Sequence, residues 1–152
     1  MSPLERWSLH ASALLTAATG ALDGGLSWFG QRMGEFGPEP HPLLGLAQHL
    51  HVLAAPGLVF VLGVMVRGHL GAKLRAGEGR RTTGLALAFL IAPMVLTGYG
   101  VQVAVDPTWR RVLSWAHGLS AGGFLLAYGG HVLRSLRLPR TVSDAPQVTA
   151  RT

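Results

Sequence analysis

Histidine is the residue type in this sequence with the widest choice of chemistry. The chain has 152 residues, of which seven are histidine and none is cysteine. A neutral imidazole can bind a transition metal, relay a proton or form a hydrogen bond between helices. The lack of cysteine excludes thiolate zinc sites, iron–sulfur ligation and haem attached covalently through Cys-x-x-Cys-His. The positions of the histidines are therefore the first guide to function.

The most informative spacing is that between His117 and His131. The two residues are close to four helical turns apart, or about 21 Å along a helix, so both rings project from nearly the same face. One helix then offers an imidazole near each surface of a bilayer. Two haems stacked across a membrane need such a helix, with a second axial nitrogen for each iron from a facing helix at the same depth.

Depth along the apolar segments supplies the partner of the outer histidine. His117 lies about four turns from the cytoplasmic end of its segment, and His51 lies at a similar distance from the cytoplasmic end of another. We therefore expect His51 and His117 to be the axial ligands of an outer haem.

The same argument applies at the other membrane surface. His10 lies just inside Arg6 at the start of the first apolar segment, and His131 lies just inside Arg134 at the end of the fourth. We expect His10 and His131 to be the axial ligands of an inner haem.

Two ligand assignments stay open. His49 competes with His51, and because the two differ by about 200° around a helix, only one can face a given haem. His69 competes with His10, but it falls beyond Arg67 and is expected in the headgroup region.

Four apolar segments can position these histidines in a membrane. Each approaches or exceeds the length needed to cross a hydrocarbon layer of about 30 Å, and the third and fourth are the clearest spans. We expect an all-α transmembrane four-helix bundle over residues 1–137 and a disordered tail over residues 138–152. The spans are about 7–26, 42–66, 83–105 and 112–133, and the first connection, about 27–41, carries His41 as an ordinary interfacial residue.

The first segment could also be read as a signal peptide. Its apolar stretch is long for the core of a signal peptide, and no clear small-x-small cleavage site precedes a soluble domain, so a membrane span is favoured.

The charged residues indicate an orientation. With four spans, both termini and the second connection share one side of the membrane, and the positive-inside rule places that side in the cytoplasm of a bacterial-type inner membrane. The pI near 11.3 does not indicate nucleic acid, since the basic residues lie at the ends of apolar runs. The residues on the basic side are Arg6, Arg67, Lys73, Arg75, Arg80, Arg81, Arg134, Arg137, Arg140 and Arg151.

These residues resemble those of a known family. The run Arg6-Trp7-Ser8-Leu9-His10, Thr19-Gly20 later in the same segment, a histidine early in the second segment, and His117 with His131 are similar to the four-helix membrane cytochrome b subunits of formate dehydrogenases and nickel–iron hydrogenases. The resemblance implies two b haems held by spans one, two and four, redox partner subunits, and a quinone beside one haem.

The chain departs from that family at two places. The second connection, about 67–81, is shorter than the one in those subunits. In the third segment, Leu96-Thr97-Gly98-Tyr99 resembles the Thr-Gly step of the first segment, which suggests a different correspondence between helices.

We therefore expect a membrane-bound b-type dihaem cytochrome that transfers electrons as a subunit of a larger complex, rather than a stand-alone enzyme. The alternatives are a single-haem protein that uses only His51 and His117, a haem-free scaffold subunit, and a small histidine-based proton or ion transporter. Polar residues near the spans, among them Gln48, Tyr99 and Tyr128, are candidates for quinone contacts, and none is assigned a catalytic role.

Overall fold

Four helices and one small β-hairpin make up the computed structural model, which describes residues 2–66, 71 and 82–137. The expectation of an all-α fold with four helices is confirmed. All of the second connection except residue 71 lies outside the described residues, as do His69 and the tail after residue 137. In chain order the elements are α1 (Pro3–Phe29), β1 (Arg32–Gly34), β2 (Gly37–Glu39), α2 (Leu44–Met65), α3 (Thr82–Val103) and α4 (Pro107–Arg137).

Local sequence explains where two of the helices begin. Ser2 accepts a hydrogen bond from the backbone N–H of Glu5, and the Glu5 carboxylate accepts one from the N–H of Ser2, which is a capping box around Pro3. The Asp106 carboxylate accepts a hydrogen bond from the N–H of Trp109, 2.9 Å away, at the start of α4.

The first connection begins and ends two to three residues later than expected and contains regular structure. Helix α1 continues to Phe29, and the chain then forms an antiparallel hairpin in which Arg32 pairs with Glu39 and Gly34 with Gly37. Gly37 has a φ of +123°, which favours glycine at the end of this turn. The loop predicted here from its glycines and prolines is therefore a compact hairpin.

The four helices share a single packed core. Helix α1 packs along α2, and α3 packs along α4, so that the chain consists of two helical hairpins. Phe124, only 2% exposed, lies at the centre of a cluster to which all four helices contribute. The cluster contains Leu9, Ala13, Leu58, Leu62, Leu87, Leu90, Ile91, Met94, Phe124 and Tyr128.

Two of the described helices are long and apolar enough to cross a membrane, namely Leu44–Met65 in α2 and Gly84–Val103 in α3. Helices α1 and α4 are longer but less apolar, because they include charged residues near their ends as well as histidine, glycine and serine among their apolar residues. The fourth segment is thus a weaker span by composition than the second, contrary to the expectation from its uncharged length.

Candidate functional site

His51 and His117 meet between the two helical hairpins. Both rings are half-buried, and their centres are 6.1 Å apart with the ring planes inclined at 64°. His51 lies on α2 and His117 on α4, so each hairpin contributes one imidazole. The two residues expected to share an outer site are neighbours in the structure.

Helix α1 holds the ring of His51 through its Nδ1 atom. This nitrogen lies 3.2 Å from the backbone carbonyl oxygen of Thr16 and 3.2 Å from the hydroxyl oxygen of Thr19. The Thr19 hydroxyl in turn lies 2.9 Å from the carbonyl oxygen of Leu15, to which it donates, and Thr19 is itself buried. The hydroxyl oxygen therefore presents a lone pair to His51.

Helix α3 holds the ring of His117 in the same way. Its Nδ1 atom lies 2.9 Å from the carbonyl oxygen of Met94 and 3.5 Å from the hydroxyl oxygen of Thr97. The Thr97 hydroxyl donates to the carbonyl oxygen of Pro93, 2.5 Å away.

These contacts assign the proton on each ring. A carbonyl oxygen can only accept a hydrogen bond, so Nδ1 must carry the hydrogen in both His51 and His117. The Nε2 atom of each neutral ring then carries a lone pair and can bind a metal. Histidine ligands in metalloproteins are commonly oriented by such a hydrogen bond to a backbone carbonyl.

Two glycines make room for the rings. A Cβ atom added at Gly20 would lie 2.8 Å from Cε1 of His51, and one added at Gly98 would lie 2.9 Å from Cε1 of His117. Both distances are too short for ordinary contact, so each ring occupies space that any larger residue would fill.

The inner histidines have different surroundings. His10 on α1 is partly buried, its Nδ1 atom lies 2.5 Å from the hydroxyl oxygen of Tyr128, and the edge of Trp7 faces its ring. Tyr128 lies one turn before His131 on α4, so His10 is at the level of that turn. His131 is partly buried.

The other described histidines lie outside both groups. His49 is exposed on α2, whereas His51 turns toward α1 and α4. His41 lies beside the hairpin, where its ring contacts the guanidinium of Arg32 at 3.1 Å and the N–H of Leu43 at 3.1 Å.

Polar and aromatic side chains surround the outer end of the His51–His117 pair. Trp28 on α1 stacks on Trp115 on α4, with ring centres 4.5 Å apart. Asp23 lies near His51, beside Ser27 and Gln48, and its Oδ1 atom is buried without a hydrogen-bond partner in the described structure.

The separation of the two ring centres can be compared with that of two imidazoles bound to one iron. A metal–imidazole bond is about 2 Å long and the ring centre lies about 1 Å beyond the nitrogen, so two axial rings have centres about 6 Å apart. The 6.1 Å measured between His51 and His117 agrees with this separation. Within the described residues no group of three or more His, Cys, Asp or Glu could hold a metal ion. A porphyrin supplies four ligands itself, so a haem needs only the two histidines.

Sequence reasoning did not identify the residues that hold the rings. Thr16 and Met94 act through backbone carbonyl groups, which every residue type has, and Thr19 and Thr97 act through hydroxyl groups that do not bind the metal. The repeated Thr-Gly step was the available signal, since it marks both places where a ring packs against a helix. Nothing in the spacing of residues along the sequence indicated the contact between His10 and Tyr128.

Comparison of the chain with known proteins found no relative. The chain matches no protein family model, no curated protein and no solved structure.

Proposed function

We propose that this chain is a membrane-bound b-type cytochrome that transfers electrons across or within the bilayer. The observation that carries the proposal is the pair His51 and His117, two imidazoles from separate hairpins with centres 6.1 Å apart and both Nδ1 atoms engaged by carbonyl groups. This arrangement leaves both Nε2 atoms for one iron.

Four membrane spans are the arrangement that best accounts for the surface of the molecule. Helices α1 and α4 pack along the two apolar helices and expose large apolar side chains where a soluble protein would carry charges. In lipid these side chains are in their preferred solvent. The basic residues at the α1 start and the α4 end favour an orientation with both termini in the cytoplasm of a bacterial-type inner membrane. The outward side chains include Leu14, Leu53, Phe60, Phe89, Leu96, Leu119 and Leu126.

A second haem on His10 and His131 is part of the proposal. The contact between His10 and Tyr128 brings α1 against α4 within one turn of His131. A hydrogen bond from Nδ1 of His10 to the Tyr128 hydroxyl leaves Nε2 of His10 for a metal. Two haems at these levels would connect the two membrane surfaces.

The residues of the chain determine what chemistry such a site performs. Haem, when bound, supplies a one-electron redox centre. With haem held by both His51 and His117, no position would be left open for oxygen, which would favour electron transfer. Their fixed rings would reduce reorganisation, and the stacked Trp28 and Trp115 join α1 to α4 close to His117 in sequence.

Redox partner subunits and a quinone complete the proposed role. Asp23, Ser27 and Gln48 beside His51 could hydrogen-bond a quinone head group at the outer end of the site. The buried Oδ1 atom of Asp23 without a partner supports this location.

The test of the quinone site is reduction of the purified protein by decylubiquinol. Asp23→Asn should slow reduction with haem content unchanged, while Asp106→Asn in the last connection should not.

Haem content is the decisive measurement. A reduced-minus-oxidised absorption spectrum, with pyridine-haemochrome quantitation per polypeptide, should show b-type haem in protein made with ample haem supply. Two haems per chain support the full proposal. One haem per chain supports a cytochrome but contradicts an electron path through two haems across the membrane. A haem-free protein contradicts the proposal and favours a scaffold or proton-relay subunit.

Variants at the histidines then assign the ligands. His51→Ala or His117→Ala should each remove one haem, because one axial nitrogen is lost. His49→Ala is the matched control, two positions from His51 on the same helix but exposed. His10→Ala and His131→Ala should remove the other haem. A chain that keeps all its haem after His51→Ala and His117→Ala has its haem elsewhere.

A further inference from the structure

The two helical hairpins repeat one arrangement of residues. In the first, the carbonyl of Thr16, the hydroxyl of Thr19 and the bare backbone of Gly20 surround the ring of His51. In the second, Met94, Thr97 and Gly98 supply the same three groups to the ring of His117. In both helices the carbonyl lies three residues before the threonine and the glycine follows it directly.

The repeat extends through the core. When α1 is aligned with α3 on the Thr-Gly steps, and α2 with α4 on the two histidines, no gap is needed within either pair of helices, and most residues of the central cluster fall into equivalent pairs. Identical residues also recur along α2 and α4. The core pairs are Leu9 with Leu87, Ala13 with Ile91, Leu58 with Phe124 and Leu62 with Tyr128, and the identical pairs include Leu53 with Leu119, Gly57 with Gly123 and Gly63 with Gly129.

We propose that Thr19 and Thr97 are equivalent positioning residues of a duplicated hairpin, each fixing the orientation and proton position of one ligand histidine. This inference rests on the proposed function, because it concerns how His51 and His117 present their Nε2 atoms to an iron. The two threonines do not touch the metal and act only through the Nδ1 side of the rings.

The hydroxyl geometry explains why threonine serves this role. Each hydroxyl donates its hydrogen to a carbonyl of its own helix, Leu15 for Thr19 and Pro93 for Thr97, and so can only accept from the ring. Together with the carbonyls of Thr16 and Met94, it offers the N–H of the ring two acceptors. Such a hydrogen bond raises the basicity of the metal-binding nitrogen.

The repeat does not extend to the inner histidines. At the equivalent positions, Ala88 stands where α1 carries His10, and Met65 stands where α4 carries His131. The repeat therefore includes only the two histidines of the outer site. Each inner histidine occurs in one helix of an equivalent pair and is absent from the other.

The test replaces each hydroxyl by a methyl group. Thr19→Val and Thr97→Val keep the side-chain shape, and Thr19→Ser and Thr97→Ser keep the hydroxyl. The readouts are the electron paramagnetic resonance signal of ferric low-spin haem, the midpoint potential and the affinity for haem. Each valine variant should shift the signal and the potential of one haem and weaken haem binding about tenfold, in the range usual for loss of a group that orients a ligand. The serine variants should restore the wild-type values.

Failure of this inference is separable from failure of the proposed function. Wild-type protein without haem overturns the proposed function. Wild-type protein with haem, and valine variants identical to it in signal, potential and affinity, overturns only the positioning role. Nitrogen-15 spectra of histidine-labelled, haem-free protein give a further readout, since the valine variants should lower the share of Nδ1-protonated tautomer at His51 and His117. An unchanged tautomer share also overturns the role.

Discussion

Individual contacts at the rings determine whether this chain can hold a metal between its hairpins. The pairing of His51 with His117 could be predicted from the sequence alone. Residues at the same distance from one membrane surface can meet when their helices pack together. The orientation of the rings could not be predicted this way. It depends on contacts with the carbonyls of Thr16 and Met94, which every residue type has, and with the neighbouring hydroxyls of Thr19 and Thr97.

The first residue-scale prediction concerns the glycine below the ring of His51. Gly20→Ala places a methyl group 2.8 Å from Cε1 of His51, so the ring must move away from its hydrogen-bond acceptors. We expect haem affinity to fall at least about tenfold, as it does when ligand orientation is lost. Titration of haem into the purified haem-free protein measures the change.

Gly24→Ala is the control for that change. Gly24 lies one turn further along α1, and a Cβ atom there meets nothing within 4 Å. The substitution should leave haem affinity unchanged. Equal affinities for the two alanine variants would show that the close contact at Gly20 has no role in the site.

A second residue-scale prediction concerns the hydroxyl of Tyr128. Tyr128→Phe removes the hydrogen bond to Nδ1 of His10, which is worth about 1 kcal/mol. If His10 binds the inner haem, the midpoint potential of one haem should shift while the other stays constant. Potentiometric titration measures both, and Tyr99→Phe, at an exposed tyrosine of α3, is the control. Identical midpoint potentials in Tyr128→Phe and wild type would contradict the assignment of His10 as a ligand of the inner haem.

At the scale of elements, hydropathy and turn residues predicted the helices well and the connections poorly. Four apolar segments became four helices, because length and apolar composition are properties of whole segments. The β-hairpin at 32–39 was missed because its strands have three residues each and carry Gly, Pro and Glu, which are depleted in strands. Its register depends on Gly37, whose positive φ shows only in the structure.

The element-scale prediction concerns the start of α4. Asp106→Ala removes the carboxylate that accepts the N–H of Trp109, and loss of such a cap costs about 1 kcal/mol. The thermal unfolding midpoint in detergent should fall, since α4 carries Phe124 and His117. Glu35→Ala, in the exposed turn of the hairpin, is the control. A midpoint unchanged by Asp106→Ala would mean that Arg110, which binds the carbonyl of Ala104, is sufficient to hold this connection.

For the whole molecule, the core is small and the apolar outer surface is large. Phe124 is 2% exposed at the meeting point of all four helices, whereas Leu126, two positions on, is 81% exposed. In soluble proteins, Phe→Ala at a buried site costs about 3 kcal/mol, and the loss of packing contacts remains in lipid. Phe124→Ala should therefore lower the unfolding midpoint clearly, and Leu126→Ala should not. Equal effects would contradict a shared core at Phe124.

Topology provides the other prediction at this scale. The chain has no cysteine, so single cysteines report their own accessibility. Phe36→Cys at the hairpin tip should react with a membrane-impermeant maleimide in intact cells. Ser143→Cys in the tail should react only after permeabilisation. The reverse pattern would invert the orientation, and labelling of both from outside would contradict an even number of spans.

The division of the ligands between two hairpins has a consequence for biogenesis. Each hairpin completes its own close packing, α1 on α2 and α3 on α4, so under the proposed four-span topology each would leave the insertion machinery as a unit. Because His51 and His117 belong to different units, the proposed iron site does not exist until both have entered the membrane. Metal capture would then mark the end of assembly, and cells starved of haem should accumulate a chain that is inserted but more readily degraded.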